Sequence, residues 1–222
     1  MGTTIELTAA DGHRFAAYRA EPAGKPRGAL VVIQEIFGVN SHIKSVADGY
    51  AADGYLAIAP ALFDRSERGL DIGYSQPEIE RGRAIMQKVP MDDALKDVAA
   101  AIKNVASAGK VGIVGYCWGG TVSFVAAAKL DGLACAVSYY GGGVAANVAL
   151  QPKIPVMFHF GETDHAIPMD AVAKVRAAHS KQTFHIYPAG HGFNCDHRGS
   201  FHADSAKLAR TRTLEFLRRY VG

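Results

Sequence analysis

Cysteine is scarce in this chain of 222 residues. Cys117, Cys135 and Cys195 are an odd set of three with no Cys-x-x-Cys pair. That argues against a disulfide scaffold and predicts a reducing, cytoplasmic setting. Charge of one sign is also lacking. Lys and Arg total 24 against 21 Asp and Glu, a net charge of +3, and no basic run is longer than Arg218-Arg219. This composition gives no footing for nucleic acid or a membrane surface as partner. No apolar run approaches the ~20 residues of a transmembrane helix. Met1-Gly2-Thr3-Thr4-Ile5-Glu6 has neither the basic nor the apolar region of a signal peptide. Repeats, low-complexity tracts and obvious linkers are missing too. What remains, 49% hydrophobic and 20% charged residues, describes a soluble globular protein, and the length predicts one domain over 1–222.

The patterning predicts strand and helix in alternation. Residues 3–8 and 13–20 flank Asp11-Gly12 as a hairpin. Ala29–Ile33, Tyr55–Ala59, Val111–Val114 and Val156–Phe160 are near-continuous in apolar residues, as strands buried on both faces are; Ala134–Tyr139 and Gln182–Tyr187 extend the set. Ile43, Val46, Ala47, Tyr50 and Ala51 follow Asn40 and Ser41, either a suitable N-cap, at helical spacing. Met91 through Val105 repeats that spacing over four turns, and the residues after Cys117, 169–178 and 203–219 complete the helices. The expected fold class is therefore α/β, a mostly parallel sheet with helices on both faces. Residues 63–90, rich in Arg, Glu and Gly, are expected to be irregular, a small lid or excursion over the strand ends.

The chemistry centres on Val111-Gly112-Ile113-Val114-Gly115-Tyr116-Cys117-Trp118-Gly119-Gly120. An apolar strand runs into Gly-x-Cys-x-Gly and then a small-residue helix, the nucleophile-elbow pattern with cysteine at its centre. The flanking glycines make room for a strained central residue, and the helix N-terminus favours a thiolate. A buried structural cysteine in a Gly-rich turn is the plainer reading. In an open parallel sheet, sites gather at the carboxyl ends of strands. Three further strand ends carry reactive residues: Gln34-Glu35-Ile36-Phe37-Gly38, Gly161-Glu162-Thr163-Asp164, and Ala189-Gly190-His191-Gly192-Phe193. The order Cys117, Asp164, His191 is nucleophile, acid, histidine, the order of α/β-hydrolases. Cys117 would attack, His191 move the proton and Asp164 orient the imidazole. Glu162 and Asp170 are alternative acids. The N–H groups of Trp118 and Ile36 are the expected oxyanion hole. Glu35, between an apolar strand and Ile36-Phe37, should be buried and so needs a partner or a proton. It is either paired with an arginine for structure or set near Cys117 to control the thiol's proton.

Together, Gln34-Glu35-Ile36-Phe37-Gly38, Gly115-Tyr116-Cys117-Trp118-Gly119-Gly120, Asp164 and Gly190-His191-Gly192-Phe193 resemble the dienelactone hydrolase (carboxymethylenebutenolidase) family over nearly the whole chain. The resemblance implies a Cys117-Asp164-His191 triad and a regulatory Glu35 that holds the resting thiol and swings to deprotonate it. It also implies arginines for a substrate carboxylate, placed here at Arg81 (or Arg83) and at Arg198. The reaction implied is opening of an enol lactone or related activated ester through a thioacyl-enzyme, without cofactor. Thiolate is itself a good leaving group, so activated esters suit it better than amides or simple alkyl esters. Other readings are hydrolysis of a different ester or thioester, or a non-catalytic thiol sensor built on Cys117. His191, Cys195, His197 and His202 are zinc-type residues, but their spacing matches no standard site, and no metal is expected. The partner implied is a small lactone or ester, the protein itself being a monomer or weak dimer.

Overall fold

The computed structural model describes residues 1–222 and gathers the apolar runs into one eight-stranded sheet. Its strands are β1 (Thr3–Thr8), β2 (Arg14–Ala20), β3 (Ala29–Ile33), β4 (Leu56–Pro60), β5 (Val111–Tyr116), β6 (Leu133–Tyr139), β7 (Val156–Gly161) and β8 (Thr183–Tyr187). Their spatial order is β1-β2-β4-β3-β5-β6-β7-β8. β1 and β2 form the antiparallel hairpin and β2 meets β4 antiparallel; all other pairings are parallel. Every residue of β3, β4, β5 and β7 is buried. Such strands carry continuous apolar runs because helices cover both faces of the sheet.

The helices are α1 (Ser41–Ala52), α2 (Gln76–Met86), α3 (Met91–Val105), α4 (Trp118–Lys129), α5 (Met169–Ala178) and α6 (Ala203–Tyr220). Asn40, not Ser41, caps α1, its side-chain oxygen accepting from the Ile43 N–H at 3.2 Å. α3 turns Ala94, Leu95, Val98, Ala101, Ile102 and Val105 inward. α4 is buried from Gly119 through Ala127, as its uniformly apolar sequence requires. On the opposite face α1 and α6 are tied by an Arg210–Asp53 ion pair. No helix is long and apolar enough to cross a membrane.

Residues 63–90 correct the sequence reading. They are not irregular throughout: a short 3₁₀ turn over Leu62–Arg65 leads through a loop to α2. The start signal of α2 stands in the sequence as Ser75-x-x-Glu78 with Pro77 in the first turn. The Glu78 carboxylate accepts from the Ser75 N–H at 3.0 Å, the Ser75 hydroxyl at 2.6 Å and the Gly73 N–H at 2.8 Å. Apolar residues in this helix are too sparse for periodicity to reveal it. Gly82 seats it, since a Cβ there would overlap the Ile36 carbonyl.

Arg65 anchors the start of this excursion. It donates to Asp97 of α3 at 2.7 and 2.9 Å and to Asp11 of the hairpin turn at 2.9 and 3.2 Å. The Asp97 side chain is fully buried, and an unpaired buried carboxylate is costly. Arg65→Met should therefore lower stability by about 3–5 kcal/mol in urea unfolding. A loss under about 1 kcal/mol, the range of an exposed pair, would show that the ion pair does not anchor the segment.

Candidate active site

Cys117 sits between β5 and α4 with φ 56° and ψ −118°, one of two non-glycine residues at positive φ. Its neighbours explain how the turn is tolerated. A Cβ at Gly115 would overlap the Gly119 carbonyl, and one at Gly119 would overlap the Gln34 carbonyl. Only glycine lets the turn, α4 and the end of β3 close together. The Cys117 N–H is spent on the Tyr139 carbonyl at 3.0 Å, which fixes the turn to β6.

β7 and β8 bring the other two residues to the same edge. His191 Nε2 lies 3.1 Å from Cys117 Sγ, and its Nδ1 lies 2.8 Å from Asp164 Oδ2. Asp164 Oδ1 accepts from the Ala166 N–H at 2.8 Å, so both carboxylate oxygens are engaged. Glu162 and Asp170, the alternative acids, are exposed, and Asp170 accepts from the Ala171 N–H. Burial works against a charged His191. The negative charge of the Cys117 sulfur and the hydrogen bond to Asp164 outweigh it and raise the imidazole to about 10.

The N–H groups of Ile36 and Trp118 donate to no group of the protein. Both residues line a cavity of about 470 Å³ that also receives Cys117, His191 and Arg198. Phe37, Met91 and, from α2, Ile79 and Met86 give it an apolar wall.

The arginines divide. Arg81 is exposed and pairs with Glu67 at the surface, outside the cavity lining. This corrects its expected place. Two residues along a helix are about 200° around its axis, so Arg83 faces the cavity instead, and its guanidinium has no ion-pair partner. Arg198 does line the cavity, but it donates to Glu35 Oε1 at 3.1 Å. Its guanidinium lies 5.7 Å from the Phe37 ring centre and 6.0 Å from that of Tyr74. Glu35 is buried, with its second oxygen unpartnered.

The resting thiol is thus bonded to His191 and not to Glu35, unlike the arrangement the family resemblance implies. In a dry setting a guanidinium is the stronger partner for a carboxylate than a neutral thiol. Tyr140 was not visible as a site residue. It stands at φ 37°, and its ring meets His191 edge-on at 5.2 Å. Only the paired tyrosines at the end of β6 hint at it. Cys135 and Cys195 are buried, and burial pushes their thiols up to about 12 and about 11.

A strand-turn-helix elbow centred on Cys117, at the carboxyl edge of a sheet with this strand order, defines an α/β-hydrolase fold. More closely, the Dienelactone hydrolase family profile matches residues 15–221, and the chain belongs to that family. It is 35% identical over 225 residues to the carboxymethylenebutenolidase of Pseudomonas putida, covering 96% of this chain and 94% of that protein. It is 32% identical over 224 residues to carboxymethylenebutenolidase 1 of Cupriavidus pinatubonensis, covering 96% and 95%. Among solved structures, a Klebsiella pneumoniae protein assigned as a dienelactone hydrolase superposes with a TM-score of 0.84 at 31% identity, over 98% of this chain and all of that one. The protein is a hydrolase acting on esters or lactones.

The raised His191 value has a sign that NMR can read. A group raised from 6.5 to about 10 stays protonated across neutral pH, and the stabilisation it brings is full below about 6.5, falls as pH rises and is gone above about 10. The ring nitrogens should show imidazolium at pH 8, and Cys117→Ala should bring the midpoint down. A wild-type midpoint near the unperturbed ~6.5 would contradict the pairing.

Proposed function

We propose that the chain opens dienelactone-type enol lactones, or related activated esters, through a thioacyl-enzyme on Cys117. The observation that supports this most directly is the relay from Asp164 through His191 to Cys117 Sγ at 2.8 and 3.1 Å. With the proton on His191, the Cys117 sulfur attacks the carbonyl carbon. The oxygen takes up negative charge between the Ile36 and Trp118 N–H groups. Collapse breaks the ring C–O bond, His191 gives its proton to the departing enolate oxygen, and a thioester remains. His191 then takes a proton from water, and the hydroxide attacks the thioester. The second collapse breaks the C–S bond and returns the Cys117 thiolate to the imidazolium already formed by the water proton, and the carboxylic acid leaves and ionises in solvent. Asp164 keeps Nδ1 protonated and the ring aimed throughout.

The arginines favour an acidic substrate. Arg83 offers an unpaired guanidinium from the α2 wall, and Arg198 a second one committed to Glu35. A substrate carboxylate that draws Arg198 toward itself would release Glu35, whose freed negative charge would then favour the proton staying on His191. Binding and activation would thereby be coupled.

Two measurements test this reading. Cys117→Ala should abolish turnover of both a dienelactone and p-nitrophenyl acetate while the circular dichroism spectrum is kept; residual turnover near wild type would remove Cys117 from the reaction. A protein whose thiol is readily alkylated yet turns over neither compound would point to the sensor instead. Arg83→Gln should raise KM for a carboxylate-bearing lactone about tenfold or more, the worth of a hydrogen bond to a charged group. The same change should leave a neutral aryl ester alone. Equal effects on both substrates would make Arg83 a wall residue only.

A further inference from the structure

Outside the cavity that holds Cys117, the fold brings one residue of α1 to an adjacent pair far downstream in the sequence. His42 is the second residue of α1, and Asp196 and His197 lie in the loop between β8 and α6, 154 residues downstream. His42 Nδ1 lies 3.0 Å from Asp196 Oδ1, and His197 Nε2 lies 3.8 Å from that same oxygen. One donor atom from each of the three falls within 4.8 Å of the others. None of the three lines the cavity that holds Cys117.

We propose that His42, Asp196 and His197 bind a divalent transition metal of the zinc class, which clamps the 194–199 loop to α1. Two imidazoles and a carboxylate are a donor set of that class, and metal–ligand distances of about 2.0–2.2 Å place tetrahedral ligands about 3.3 Å apart. The 3.0 and 3.8 Å separations straddle that value. A small movement of His197, on the exposed loop, closes the third. The ligands differ usefully in burial. His42 is 4% exposed and held by the helix, while Asp196 is 63% exposed and His197 41%. One ligand is therefore fixed, and the other two leave the ion a path from solvent and room for water in the fourth position. His42 Nε2 is buried without a partner, so the ring's one polar contact is at the face turned to Asp196. Aromatic edges brace the other ring: His197 meets His42 at 5.6 Å and Tyr74 at 6.0 Å.

The clamp has a consequence for the hydrolase. Arg198 follows His197 directly and holds Glu35 from the same loop, against Tyr74 as well. An ion at this site would restrict the travel of Arg198 without touching substrate.

Titration of zinc, and of cobalt followed by its visible absorption, into the Cys117→Ser protein tests the site free of the competing thiolate. One ion should bind per chain. His197→Ala and Asp196→Asn, both changes of exposed side chains, should each weaken binding about tenfold or more. His165→Ala, an exposed histidine elsewhere, should leave it unchanged. Saturable binding that persists equally in His197→Ala would overturn the proposal, as would no binding up to about 1 mM metal.

Discussion

The backbone turn at Cys117 is the constraint on which the rest of the structure depends. A residue held at φ 56° costs on the order of 1–3 kcal/mol and persists only where its surroundings over-determine it. Here they do. β5 is fully buried between β3 and β6, the Cys117 N–H is tied to Tyr139, and Gly115 and Gly119 let the chain cross itself and the end of β3 at contact distance. The return for that strain is position. The sulfur stands at the N-terminus of α4 with the free Trp118 N–H beside it, and the turn faces the free Ile36 N–H across the cavity. Donors left unpaired by the protein suit the proposed role of meeting a charge that arrives only with the substrate.

Two charge pairs then reach the cavity that holds the sulfur, and they are of different kinds. His191 and Asp164 are fixed by β8 and β7, with both Asp164 oxygens engaged. The Arg198–Glu35 pair is looser by construction, since one Glu35 oxygen has no partner and Arg198 comes from a loop. Gly192 joins the two, because at φ 76° it leaves room for the Arg198 guanidinium where a side chain would stand. His191, the proposed proton carrier, and the arginine that holds Glu35 therefore share one loop, and a displacement of either is felt by both.

Much of this was legible in the sequence, for a physical reason. Strands buried on both faces must be apolar throughout, so β3, β4, β5 and β7 announce themselves. A sheet edge then collects whatever reactive residues follow those strands, which is how Cys117, Asp164 and His191 could be placed without coordinates. The illegible parts depended on partners distant in the chain or on weak periodicity. α2 carries too few apolar residues to show its period, and its start rests on a capping box that a Gly- and Arg-rich stretch obscures. Arg81 and Arg83 differ in role only by the rotation of that helix. Glu35 was rightly expected to be buried, but whether its partner was Cys117 or an arginine depended on a loop 163 residues away.

That division has a mechanical sense. The groups proposed for bond-making hang from the central sheet, where burial and parallel pairing leave little freedom. The groups proposed for substrate choice hang from α2 and the loop after β8, outside the sheet, with Gly82 set on the Ile36 carbonyl and Arg198 on Glu35. A change of cavity wall, such as moving a cation from one turn of α2 to the next, alters the charge offered to a substrate without straining the turn at Cys117. The Gly82 contact also crosses between the two systems, because Ile36 is both the seat of α2 and a proposed donor to the oxyanion hole. α2 can therefore vary widely in sequence on its cavity face but not at the residue that sets its distance from Ile36.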